Sequence, residues 1–526
     1  MYDHIIVGAG SAGCVLANRL SADPARKVLV LEAGSGTPPL ESDMPAGWLS
    51  LLNTEVDWCY YTVPQPGARN RKLFWPRGKV VGGSGSLNAM IYIRGLPSDY
   101  DRWQALGCPG WDWKSVLPVF LASESNERLA NSPLHGSGGE LVITDPVHVD
   151  AAERAYLDAA VAAGFPYNTD FNGPVQDGVG LFQLTVKDGR RHGTARAFLF
   201  PALERPNLTL ATGVLTTRLL IENGRAVGVE YLRLGQVEKA YASGDIVLCA
   251  GAINSPQLLL LSGIGPADEL THAGVKVVHD LPGVGKNLQD HVNVVITYHT
   301  KEKSGIGGMT DAEFAAGIEE WKATRTGPMS STWAAVGGFI KSDPTVAEPN
   351  LQIYGVASGH RDHARYLGER SGFGLYTTLQ RPLSHGEIGL RSADPLQHPA
   401  IDPRYFSDPD SQDLATMIKG VRLNRQIAAA EPLKALLQAE VTPSAGCHTD
   451  QEIGDYIRGH CATLYHPTCT CRMGNDPRAV VGPDLRVHGI AGLRIADASV
   501  MPAIVSGNTN APTIMIAERA ARFVGG

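Results

Sequence analysis

The chain has 526 residues, 46 Lys+Arg against 53 Asp+Glu, and 43% hydrophobic content. A net charge of −7 on so apolar a chain excludes a disordered polypeptide and argues against a general binder of phosphate backbones, so no nucleic-acid partner is expected. At about 150 residues per domain, the length allows three to four domain-equivalents.

His4 to Val7 is apolar and reads as a strand. GAGSAG, residues 8 to 13, is a turn, after which Val15, Leu16, Ala17 and Leu20 recur at helical spacing. Val28 to Leu31 is a second strand, closed by Glu32-Ala33-Gly34, so the opening segment is a βαβ unit. Gly8 permits the tight exit from the strand, Gly10 lets backbone approach a pyrophosphate, and Gly13 lets helix and strand pack closely. The helix start at Ser11 and Ala12 offers free N–H groups and a positive dipole end to phosphates. Glu32 lies 19 residues past Gly13, with Ala33 beside it, where an acid accepts from ribose hydroxyls. A bound dinucleotide is expected.

Residues 35 to 95 are rich in Gly, Pro, Trp and Tyr and read as a long excursion without regular structure. Residues 96 to 135 carry helical stretches, with Trp103, Trp111 and Trp113 as core. Ala151 to Gly164 reads as an amphipathic helix. Strands are expected at 208–210, 216–221, 226–231 and 245–250, and a helix begins at Pro256. Residues 301–312 and 358–372 are polar and Gly-rich and read as surface loops, with His360 and His363 solvated. Strand and turn follow from Gly386, then helices to about Gly459, and a last helix spans Ala511 to Val524. Motif-rich segments at the start, middle and end imply one cofactor domain assembled from separated pieces, with a second domain inserted.

The eight cysteines are scattered, and only Cys469 and Cys471 are close. That pattern supports neither a disulfide scaffold nor a metal site. No apolar run reaches the roughly 18 residues that span a bilayer. The opening residues lack a basic-then-apolar leader, so a cytoplasmic setting is expected, with peripheral membrane contact left open.

The N-terminal position of the turn favours FAD over NAD, as do two later apolar strands, IVLCAG at 246–251 and GLRIAD at 492–497, which resemble strands of the large FAD-binding fold. Four blocks together resemble the glucose–methanol–choline (GMC) oxidoreductase family. These are the opening turn with Glu32-Ala33-Gly34, RGKVVGGSGSLNAMIYIRG at 77–95, GAINSPQLLLLSGIGP at 251–266, and YHPTCTCRMG at 465–474 followed by GLRIADASVMP and SGNTNAPT. GVGKNLQDH at 283–291 is a further family-like stretch.

The resemblance implies an α/β fold, α+β overall. A Rossmann-like FAD-binding domain (1–150, 195–295 and 460–526) holds an inserted substrate-binding domain on an antiparallel sheet with helices (151–194 and 296–459). It implies FAD-dependent oxidation of an alcohol. Some members bond the flavin to a histidine where Leu87 stands here, so the FAD is expected to be noncovalent. By resemblance, Arg77, Val81, Gly83, Asn88, Ala89, Met90 and Ile91 line the isoalloxazine and pyrophosphate. Val214 and Ala250 offer backbone, and Asp497, Ala498 and Thr509 approach the ribityl chain and flavin.

Alcohol oxidation needs a base for the hydroxyl proton and an α-carbon facing flavin N5. His466 matches the family's active-site histidine, and Asn510 is expected to face it across the substrate oxygen, donating to the alkoxide as it forms. Tyr465, Trp333 and Phe339 are substrate-pocket candidates, and the inserted domain's aromatic residues lean toward an aromatic, furanic or otherwise apolar primary alcohol. The electron acceptor is expected to be O₂ or a quinone- or dye-type molecule. A choline-dehydrogenase-like enzyme and a non-redox hydroxynitrile lyase on the same scaffold are the alternatives. Cys469 stands where many members have glycine, a strained position if the turn needs positive φ.

Overall fold

The computed structural model describes residues 1–359, 363, 372–444 and 446–525. The opening unit forms as expected: strand His4–Val7, helix Ser11–Leu20 and strand Val28–Leu31. Three distant strands extend it into a five-stranded sheet, in the order Leu208–Ala211, Val28–Leu31, His4–Val7, Ile246–Leu248, Leu493–Ile495. Every pair in it is parallel. A parallel sheet is covered on both faces, and every residue of Val28–Leu31, Ile246–Leu248 and Leu493–Ile495 is buried. His4–Val7 lies between its sequence neighbour and a strand from the middle of the chain. The connections therefore leave it in opposite directions and open a crevice at the carboxyl ends of the strands.

A second sheet is antiparallel. Val336–Ile340, Leu351–Val356, Gly372–Leu379, Val292–Thr300 and Leu437–Thr442 follow in that order, and Ala462–Thr463 also pairs with Val292–Thr300. Helices Ala151–Ala162 and Gln412–Ala428 pack on this sheet, and Tyr156, Ile353, Phe373 and Val421 share its core. Parallel and antiparallel sheets thus form the two halves that the sequence implies.

Two of the expected boundaries move. A division at 295/296 would cut the strand Val292–Thr300, and Ala462–Thr463, expected in the cofactor half, is paired into the second sheet. The apolar run Val294-Val295-Ile296 continues without a turn residue, so the sequence carries no mark there. The helix expected from Pro256 begins at Gly251 and contains the proline. Proline lacks the N–H that would bond the carbonyl of Ala252, and the Thr470 hydroxyl donates to that carbonyl instead, at 2.7 Å.

Residues 35 to 95 hold only short 3₁₀ turns, a four-residue helix and two-residue strands, as their composition implies. Trp103 and Trp111 are fully buried. The loop at 301–312 contains a short helix, Gly305–Gly308. Most of 358–372, His360 included, lies outside the described residues.

Candidate active site

A cavity of about 960 Å³ runs from the carboxyl ends of the parallel strands to the antiparallel sheet. All of the cofactor candidates except Gly13 and Val81 line it. Gly13 works from behind: a Cβ there would stand 1.9 Å from the carbonyl oxygen of Gly8, so only glycine lets the first helix sit on the first strand. Val81 is a correction. Its side chain is wholly buried and its N–H is spent on the carbonyl of Ser35 at 3.0 Å, so it lies behind the wall.

The helix Ser11–Leu20 opens into the cavity without a side-chain cap at Gly10. Its first N–H groups are therefore available to an anion. Gly83, from the second glycine-rich turn, faces Gly10 across this groove, and a Cβ on Gly83 would lie 2.8 Å from the Gly10 Cα. Glu32 accepts from the N–H of Ala9 at 2.9 Å and of Gly34 at 2.8 Å. Burial pushes its carboxyl up to about 7 against the pull of those amides. Asp497 accepts from the Ser255 hydroxyl at 2.6 Å and from the N–H of Gly251 at 2.9 Å, with burial raising its carboxyl. Two glycine-rich turns, an uncapped helix start and two carboxylates at strand ends fit an extended dinucleotide.

The other half of the cavity centres on His466. Its backbone N–H donates to Asp290 Oδ1 at 2.9 Å, and Tyr405 donates its hydroxyl to the same carboxyl. Arg77 Nη2 donates to the Tyr465 carbonyl at 2.6 Å, so this cavity residue also braces the turn that carries the histidine. Tyr465 has φ 69°, a left-handed conformation that aims the chain into the cavity. Burial holds the His466 imidazole well below its ordinary range, with neighbouring His291 and Arg77 adding to the effect. His466 is therefore neutral at working pH, as a proton acceptor must be.

The expected pairing of His466 with Asn510 is corrected. Asn510 opens the last helix, Asn510–Gly525, and its Oδ1 accepts from the Ser11 hydroxyl at 2.7 Å. Asn508, two residues upstream, places Nδ2 3.3 Å from His466 Nε2. The two helix starts, Ser11 and Asn510, are tied to each other, and the asparagine in the segment before the helix reaches the imidazole. On its other side His466 Nδ1 meets His291 Nδ1 at 2.9 Å. His291 ends the GVGKNLQDH stretch, a motif visible in the sequence without a role.

Among the pocket candidates, Tyr465 and Trp333 line the cavity and Phe339 does not. Phe339 is fully buried between Phe171 and Phe182, because its strand faces that side inward. Tyr354 and Tyr376 line the cavity, while Phe373 is core. His363, expected in solvent, is buried and meets the Tyr465 hydroxyl through Nδ1 at 2.7 Å. Cys469 has φ 74°, so the turn does require the left-handed region, and burial pushes its thiol up to about 12.

The family model described as GMC oxidoreductase matches residues 2–293 with its N-terminal part and 382–517 with its C-terminal part. The chain belongs to the GMC oxidoreductase family. It is 44% identical over 530 residues to an alcohol dehydrogenase [acceptor] of Pseudomonas putida, covering 100% of this chain and 96% of that one. It is 43% identical over 549 residues to the mitochondrial choline dehydrogenase of Mus musculus, covering 100% and 89%. The crystal structure of pyridoxine 4-oxidase from Mesorbium loti superposes with a TM-score of 0.91 at 32% identity over 99% of both chains. The protein is an FAD-dependent oxidoreductase acting on alcohols. Among the described residues, no helix is long and apolar enough to cross a membrane.

Proposed function

We propose that this GMC oxidoreductase oxidises an uncharged primary alcohol with an aromatic, furanic or otherwise apolar body to the aldehyde. The observation that carries the reading is the wall around His466. Trp48, Trp333, Tyr354, Tyr376 and Tyr465 line the cavity with aromatic surface. The carboxylates among its described lining residues are Glu32, Asp57 and Asp497. All three are engaged: Glu32 and Asp497 as above, and Asp57 with the N–H groups of Asn53, Cys59 and Arg77. An apolar alcohol finds dispersion contacts there, and each carboxylate among the described lining residues is already hydrogen-bonded to the protein rather than turned free toward a cation.

Bound FAD supplies the acceptor for the hydride that leaves the alcohol's α-carbon. The turn at Gly8–Ala12 and the start of the first helix would hold its phosphates, Glu32 its ribose, and Asp497, Ala498 and Thr509 its central chain. Leu87 lines the cavity where some members present a bonding histidine, so the cofactor is held without a covalent link. His466 Nε2 takes the hydroxyl proton, and Asn508 Nδ2 donates to the oxygen as its charge develops. The acceptor that would reoxidise the cofactor is O₂ or a quinone- or dye-type molecule. All eight cysteines are free thiols, in keeping with a reduced, cytoplasmic setting.

A second reading takes choline as substrate. Aromatic faces attract a quaternary ammonium, and the mouse relative is a choline dehydrogenase. The test is anaerobic bleaching of the flavin by benzyl alcohol, furfuryl alcohol and choline. Rapid bleaching by the first two is expected. Bleaching by choline alone would establish the second reading, and bleaching by no alcohol would remove both.

A further inference from the structure

Five hydrogen bonds around His466 close into a ring. His291 Nε2 meets the Gln380 carbonyl at 3.1 Å. His291 Nδ1 meets His466 Nδ1 at 2.9 Å, and His466 Nε2 meets Asn508 Nδ2 at 3.3 Å. Gln352 Nε2 donates to Asn508 Oδ1 at 3.1 Å, and Gln380 Nε2 donates to Gln352 Oε1 at 3.3 Å. The chain of contacts leaves the backbone of Gln380 and returns to its side chain. The residues come from three strands and strand ends of the antiparallel sheet and from the two C-terminal segments, so none of this is local in sequence.

One proton arrangement satisfies the ring. A backbone carbonyl only accepts, so His291 must carry its proton on Nε2. His291 is fully buried, and burial pulls its imidazole down to about 3 against the carbonyls of Gln380 and Val505. It is therefore neutral, and its Nδ1 holds a lone pair. The nitrogen facing it, His466 Nδ1, must then donate. A neutral His466 with its proton on Nδ1 has its lone pair on Nε2, opposite the Asn508 amide. Asn508 turns its NH₂ toward that lone pair because Gln352 donates to its oxygen, and Gln352 is turned in the same sense by Gln380. Every bond runs donor to acceptor in one direction, the arrangement in which neighbouring bonds polarise one another favourably.

We infer that His291 is a positioning residue that fixes the tautomer of His466, held by the Gln380 carbonyl, while Gln352 and Gln380 fix the orientation of Asn508. The inference rests on the reading of His466 as the base. Without His291, His466 is free to place its proton on Nε2, which faces the substrate oxygen with a donor and blocks proton removal. With His291, the basic nitrogen is always the one beside Asn508. When Nε2 takes the alcohol's proton, His466 becomes an imidazolium whose Nδ1–H still donates to the His291 lone pair, so the same contact stabilises the charge that forms. Among the described residues, the titratable and charged groups against His466 include His291, Arg77 and Asp290, and of these three it is His291 that reaches a ring nitrogen of His466.

The test starts with the wild-type holoenzyme labelled with ring-¹⁵N histidine, the His466 signals being those lost in His466→Ala. Proton-bearing and lone-pair nitrogens separate by chemical shift. A protonated Nδ1 and an unprotonated Nε2 are expected for His466, and the reverse would overturn the inference before any further variant is made. His291→Phe should then give a mixture of tautomers and slow anaerobic flavin reduction on the order of 10–100-fold, as the loss of an orienting partner does for metal-ligating histidines. KM should change little. His291→Asn, whose Oδ1 stands near the former Nδ1, should recover part of the rate. Equal losses in His291→Phe and His291→Asn, or none in either, would overturn it. Failure of the base assignment is separable, because there His466→Ala itself would reduce flavin at the wild-type rate.

Discussion

Gly83 and Gly10 come from turns more than 70 residues apart in sequence, yet a Cβ on Gly83 would stand 2.8 Å from the Gly10 Cα. Gly83 also has φ +54°, a conformation that side chains other than glycine's disfavour. Steric and conformational demands therefore coincide where the two glycine-rich turns meet. Gly83→Val should force the turns apart and weaken FAD retention at least tenfold, with the parallel sheet intact. Equilibrium dialysis of the apoprotein against FAD measures this, with circular dichroism as the control. Retention at wild-type affinity would show that the approach of the two turns is not what holds the cofactor.

Asn508 and Asn510 should separate cleanly. Asn508→Ala removes the donor nearest His466 Nε2 and is expected to slow anaerobic flavin reduction by about 10²–10³, the cost of one oxyanion-type donor, with FAD retained. Asn510→Ala removes the acceptor for the Ser11 hydroxyl and loosens the tie between two helix starts. It should raise the FAD concentration needed for activity and leave the saturated rate within about threefold of wild type. Stopped-flow reduction and FAD titration on both variants decide it, and a reversed pattern restores Asn510 to the substrate.

The contrast between these asparagines shows what was legible in the sequence. The parallel sheet was read nearly strand for strand, because its elements are short apolar runs punctuated by glycine and acid. The shape of the glycine turn and the place of Glu32 were legible, since each demand is local: a tight exit, a close approach of helix to strand, an acid at a strand end. The partner of His466 was not legible. Asn508 and Asn510 differ by two residues, and only the start of the final helix decides which one turns toward Ser11. His291 sat in a noted motif, but its contact with His466 spans 175 positions. The expected boundary at 295/296 misses for a related reason: it falls inside the strand Val292–Thr300, whose apolar run Val294-Val295-Ile296 carries no turn signal. Phe339 and Tyr354 are both aromatic residues on adjacent strands, and only packing sends one into the core and the other to the cavity.

Glu32 gives a pH signature. Burial raises its carboxyl from the ordinary range to about 7 in the folded apoprotein. A folded-state pKa above the unfolded one means that the folded chain binds more protons between those values. The stabilising contribution is complete below about 4.5 and is lost as pH rises through 7. Melting temperatures of the apoprotein should therefore fall more steeply from pH 5 to 8 in wild type than in Glu32→Gln. FAD affinity should move the other way. Ribose hydroxyls donate to the ionised carboxylate, so binding should tighten as pH rises through 7 in wild type and stay flat in Glu32→Gln. Parallel pH profiles in both proteins would discard the assignment of Glu32 to the ribose.

The proposed noncovalent hold on the flavin is tested at Leu87. This residue lines the cavity with an aliphatic side chain that cannot bond to the ring. Acid precipitation of the holoenzyme should leave all yellow colour in the supernatant. Leu87→His offers a ring nitrogen at the same place, and colour in the pellet of that variant alone would show that the side chain at this position governs attachment. Colour in the wild-type pellet would mean that another residue forms the bond.

Cys469 tests the backbone of the turn that carries His466. It is fully buried with φ 74°, and its thiol lies 3.0 Å from the Thr468 hydroxyl. Replacing it with Ala or with Gly removes the same sulfur, and Gly also removes the buried Cβ. The two differ in what the backbone costs, because a left-handed conformation penalises any Cβ by roughly 1–2 kcal/mol. Ordinary positions favour Ala over Gly by about 0.4–1 kcal/mol through the unfolded chain. The left-handed penalty exceeds that, so Cys469→Gly should melt above Cys469→Ala, although both lose sulfur contacts. Differential scanning calorimetry of the two holoenzymes measures the order. Ala above Gly would mean that the turn relaxes out of the left-handed region once the thiol is gone, and that the cysteine itself shapes the approach of His466 to the cavity.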